Sequence, residues 1–90
     1  MKAPSLFKNR EELEDAAMVM NKGDTVDIIF GGDENRRDFI YKKLKTTSFH
    51  EQIHTTLSIG FGGARETITA EIKPEKIEEF WQEAPKVLVE

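Results

Sequence analysis

The chain has 90 residues, 38% of them apolar and 9% aromatic; that is enough for one modest core and leaves no room for a second domain. It contains no cysteine, which excludes disulfide staples, thiolate zinc sites and a cysteine nucleophile. Thirteen basic side chains against seventeen acidic ones give a formal net charge of −4, weakly acidic, short of a nucleic-acid mimic and without the basic excess that nucleic-acid binding requires. No apolar run approaches the roughly 18 residues of a spanning helix, and Met1-Lys2-Ala3-Pro4-Ser5 lacks the apolar stretch of a signal peptide. A cytoplasmic protein without membrane contact is therefore expected.

Taken in chain order, residues 1–8 read as a loose arm carrying Leu6 and Phe7. Asn9-Arg10-Glu11-Glu12 has the form of a helix start, because an Asn side chain accepts from an early backbone N–H. Leu13, Ala16, Ala17 and Met20 follow at the spacing of one helical face, and Gly23 is the expected stop. Thr25 to Phe30 reads as a strand in which Val26, Ile28 and Phe30 share a face. Gly31-Gly32 breaks it, and Asp33 caps a second helix running to about Lys45, with Ile40, Tyr41 and Leu44 facing a core.

Between Gln52 and Phe61 the odd positions Ile53, Thr55, Leu57, Ile59 and Phe61 alternate with His54, Thr56, Ser58 and Gly60, which is a strand signal. Gly62-Gly63-Ala64 makes a turn, and Ile68, Ala70 and Ile72 mark the returning strand of a hairpin. Pro74 suits the first turn of a helix bearing Ile77, Phe80, Trp81 and Ala84 on one face. Pro85 is expected to end that helix, leaving Lys86 to Val89 as a short edge strand. The predicted class is α+β: an N-terminal helix followed by a ferredoxin-like βαββαβ unit with a mainly antiparallel sheet, all in one domain over residues 1–90. This architecture hosts many unrelated functions, so the fold names no activity.

One short motif names a reaction. His50-Glu51-Gln52-Ile53-His54 satisfies H-E-x-x-H, the zincin metallopeptidase signature. On a helix both imidazoles reach one Zn²⁺ while Glu51 polarises the bound water. On a strand, residues four apart lie about 13 Å from each other, too far to share a metal. The period-2 run from Ile53 to Ile59 favours the strand, and the longer motif with a third histidine is not met. A zinc peptidase using His50, His54 and Glu51 is thus the alternative, and no cofactor is expected otherwise.

Gly31-Gly32-Asp33 reads as a turn and cap, since Asp33 puts a negative charge where a phosphate would sit. The loop Phe61-Gly62-Gly63-Ala64-Arg65 combines backbone freedom, an aromatic ring and a cation. It is the leading candidate for a contact surface, and a second alternative is a small-ligand or nucleotide-sequestering site on Gly62, Gly63 and Arg65. Arg36, Phe39 and Lys43 fall on one side of the second helix and form a possible neighbouring patch. Glu75, Glu79 and Glu83 make an acidic stripe on the last helix, which a basic partner would fit.

Neither a nucleophile elbow nor stacking aromatics on the third strand appears. The expectation is a non-enzymatic binding or regulatory protein, an inhibitor or adaptor that occupies a host or defence protein's surface. With so small a core, self-association through a sheet edge or helix face is also expected.

Overall fold

The computed structural model describes residues 7–90. Its elements are α1 (Arg10–Ala16), β1 (Ala17–Asn21), β2 (Val26–Phe30), α2 (Glu34–Leu44), β3 (Ile53–Gly60), β4 (Gly63–Ile72) and α3 (Ile77–Leu88), with 3₁₀ turns at His50–Gln52 and Pro74–Lys76. The protein is α+β, and its four strands form one antiparallel sheet in the order β1-β2-β4-β3.

Register decides which face packs. Phe30 stands opposite Ile68, Ile28 opposite Ala70 and Val26 opposite Ile72, and on the far side Ile53 pairs with Ala70. These side chains share one face. All of them except half-buried Val26 form a single buried cluster with Leu13 of α1, Ile40 and Leu44 of α2, and Phe80, Trp81, Ala84 and Leu88 of α3. All three helices therefore lie against the same side of the sheet. Among the described residues no helix is long and apolar enough to cross a membrane.

Two helices begin as their sequences require. Asn9 accepts from the Glu12 N–H at 2.8 Å and Asp33 from the Arg36 N–H at 2.8 Å, each satisfying a donor left orphaned in the first turn. The expected order fails at both ends. The first helix stops at Ala16, not near Gly23, and residues 17–21 are strand β1, paired with β2 from Ala17 opposite Phe30 to Asn21 opposite Val26. Gly23, at φ +93°, serves the hairpin turn: Asn21 Oδ1 accepts from the Gly23 N–H, and the Lys22 N–H donates to the Thr25 carbonyl. A left-handed glycine ends a helix and closes a hairpin equally well.

At the other end Pro85 lies inside α3, which runs to Leu88. The missing N–H removes one helical bond, but continuing the helix carries Leu88 into the core as the next member of the Trp81 and Ala84 stripe. The expected strand at Lys86–Val89 reduces to one parallel bridge between Val89 and Phe7. That bridge also corrects the loose arm. Phe7 is completely buried, its N–H donating to the Leu88 carbonyl and its carbonyl accepting from the Glu90 N–H. Residues 1–6, the rest of the expected arm, lie outside the described residues.

Candidate functional site

The β3–β4 hairpin outgrows the sheet. β2 pairs with β4 only as far as Phe30 opposite Ile68, whereas β3 and β4 remain paired from Leu57 opposite Glu66 out to Gly60 opposite Gly63. Beyond Thr67 the hairpin is a two-stranded ribbon closed by Phe61 and Gly62, and Gly63 takes φ +94°, a backbone conformation that disfavours a side chain. Arg37 braces the base of the ribbon, Nη1 donating to the Glu66 carbonyl at 2.8 Å.

Most of the ribbon's apolar side chains are not covered. Leu57 is 59% exposed, Ile59 82%, and Phe61 at the tip is fully exposed. Leu57 and Ile59 are on the same strand face as buried Ile53, but Leu57 meets only the first turns of α2 at a groove with Glu34 and Arg37, and both side chains stay exposed. Arg65 is exposed on β4 and stands between two shallow grooves. One is lined by Gly32, Glu34, Arg37 and Leu57, the other by Met18, Ile29, Gly31 and Thr67.

The expected neighbours on α2 are engaged within the protein. The Arg36 guanidinium lies 4.4 Å from the centre of the Phe7 ring, and Lys43 Nζ lies 5.6 Å from that of half-buried Phe39. Arg37, which the sequence did not single out, is the arginine that meets the ribbon. Nothing in the adjacent pair Arg36-Arg37 tells which one faces the sheet.

The H-E-x-x-H residues are split between two kinds of backbone. His50 and Glu51 belong to the 3₁₀ turn and His54 to β3, so the α-helical spacing that stacks two imidazoles over one metal is not present. Glu51 and His54 line a cleft of about 520 Å³ with Ser48, Phe49, Glu71 and Lys73, and His50 is not part of that lining. Among the described residues no group of three His, Asp or Glu side chains is placed to hold a metal ion.

Ser48 and the acidic stripe prove to be coupled. The Ser48 N–H donates to Glu83 Oε1 at 2.9 Å and its hydroxyl donates to Glu83 Oε2, tying the segment after α2 to α3, while Glu79 pairs with Lys76 at 3.4 Å. The Ser48 hydroxyl and then its N–H lower the Glu83 pKa; burial opposes them less strongly, and the Lys86 charge adds a still smaller lowering. A carboxylate with a depressed folded pKa contributes stability that is complete above the ordinary carboxylate range and is lost as pH falls through the lowered value. Ser48→Ala is therefore expected to melt below the wild type at neutral pH, with the gap closing as Glu83 is protonated in acid. Thermal melts across that range, read by circular dichroism, check this; a gap independent of pH would show that the Glu83 charge takes no part.

Comparison with protein-family models, curated proteins and solved structures found no match to this chain.

Proposed function

We propose that this chain is a non-enzymatic binding protein that acts by occupying the surface of another protein, with the projecting β3–β4 ribbon as its contact surface. The observation that carries this reading is the exposure of Leu57, Ile59 and Phe61 on a segment with no third strand among the described residues. A two-stranded ribbon is marginal in water, and contiguous exposed apolar side chains mark interaction sites. Phe61 supplies the apolar anchor and Arg65 a cation for a carboxylate or aromatic face on the partner. A nucleotide or other small anion suits the loop less well, because Glu34 and Glu66 line the same groove as Arg65 and would face its charge. In fold terms we read β2 to α3 as the body of a ferredoxin-like unit whose closing strand is replaced by β1.

The test is retention of partner proteins from the native host by the immobilised chain, followed by affinity measurement with the captured partner. Phe61→Ser and Arg65→Glu should each weaken binding by about 1 kcal/mol or more, the scale of an interface anchor, with unchanged melting temperature. If both bind normally while charge reversal at Glu75 and Glu79 abolishes binding, the acidic face of α3 is the contact surface and the ribbon is not.

A further inference from the structure

We propose that the outer edge of β3, which no strand among the described residues covers, pairs with β3 of a second copy of this chain, joining two sheets into one of eight strands. The inference rests on the ribbon being a contact surface and names its first occupant. β3 is an outer strand of the sheet, eight residues long, and its register with β4 is unbroken by any bulge. From Ile53 to Gly60 it contains no Lys, Arg, Asp, Glu or Pro. An edge strand presents a row of unpaired N–H and C=O groups, which monomeric proteins blunt with charge, proline, bulges or shortness. β3 uses none of these devices. The opposite edge, β1, has only five residues.

A second copy is the occupant that this edge fits. Because the strand has no Lys, Arg, Asp or Glu, and His54 falls opposite residue 58 or 60 and not opposite itself in the two registers below, antiparallel pairing sets no like charges directly against each other. A two-fold axis makes the contact isologous, so it closes at two chains; pairing β3 with β1 would leave an open edge at each end and propagate. Side chains directly opposite each other in an antiparallel pair share a face. Overlapping nearly the whole strand centres the axis on Thr56 or Leu57. In both registers Leu57 and Ile59 of one copy come to lie beside Ile53, Thr55 or Leu57 of the other, so the exposed aliphatic side chains gain neighbours on the helix-bearing side of the joined sheet.

Sedimentation equilibrium of the untagged 90-residue chain, from low micromolar to submillimolar concentration, should give twice the chain mass of 10.3 kDa. Leu57→Lys and Ile59→Lys should each weaken self-association by about tenfold or more, since an edge lysine is a standard block to strand pairing, and Met18→Lys on β1 should leave it intact. Both β3 side chains already face water, so circular dichroism should be unchanged. Hydrogen exchange of the unaltered chain reads the same edge, because β3 amides should lose protection on dilution. A single-chain mass at every concentration, a dimer indifferent to both lysines, or a mass that grows without limit and is cut by Met18→Lys would each overturn the proposal. A monomer whose partner capture still depends on Phe61 defeats the self-pairing alone. A β3-dependent dimer whose capture ignores Phe61 and Arg65 defeats the reading under Proposed function instead.

Discussion

Trp81→Ala is expected to cost about 3 to 5 kcal/mol, a large share of the roughly 5 to 15 kcal/mol that separates a folded domain from its unfolded chain. Trp81 is buried on the face of α3 that meets the sheet, and its ring stands edge-on to Phe80 with centroids 5.3 Å apart. Phe80 in turn meets Phe49 edge-on at 5.5 Å. Truncation therefore opens a cavity and removes one member of a three-ring chain that connects α3 with the segment after α2. Aromatic pairs of this geometry contribute about 0.5 to 1.5 kcal/mol beyond the area they bury, so the loss should fall toward the upper part of the range. Denaturant unfolding of the wild type and variant measures it. An unchanged midpoint would mean that α3 is not docked, and would recast Trp81 as a surface aromatic.

Much of this core was legible because local period and tertiary fate agree. Alternation placed Val26, Ile28 and Phe30 on one face and Ile68, Ala70 and Ile72 on another, and their register brings the two sets into one layer. The helical stripe of Phe80, Trp81 and Ala84 faces that layer. Where the reading failed, the local pattern permits two structures and a distant partner selects one. Ala16, Ala17 and Met20 fit a helical face, but Met18 to Asn21 gain a ladder with β2, and a helix of seven residues has little cooperative strength of its own to resist. The same holds for Pro85: its cost is local, while the burial of Leu88 that offsets it depends on the whole core.

The candidate site divides in the same way. Its turn was legible, since Gly62-Gly63 between two alternating runs can hardly be anything else, and Phe61 and Arg65 follow from their place in it. Its projection was not. Alternation says that Leu57 and Ile59 share a face with Ile53, yet it carries no information on where β2 and the helices end, so the same odd positions pass from buried Ile53 to exposed Ile59 along one strand. Exposure of an apolar side chain here is a property of the neighbours' lengths.

Phe7→Ala should be the other severe variant, although the residue precedes every regular element. Its ring is completely buried, so truncation is expected to cost about 3 to 5 kcal/mol, whereas a residue on a loose arm would cost about 0.5 kcal/mol or less. The backbone holds the residue from both sides through Leu88 and Glu90 in the Phe7–Val89 bridge, so the segment is fixed in place and the space the ring leaves should collapse poorly. The Arg36 guanidinium over the ring adds about 0.5 to 2 kcal/mol of cation–π attraction and loses its partner in the variant. Arg36→Ala alone should then cost far less than Phe7→Ala, and the double variant should cost less than the sum of the two, by a coupling of about 0.5 kcal/mol or more. Equilibrium denaturation of the four proteins closes the cycle. A Phe7→Ala loss near zero would show that the first and last described residues are not clasped together, and α3 would then have to hold its C-terminal turn, across Pro85, through Ala84 and Leu88 alone.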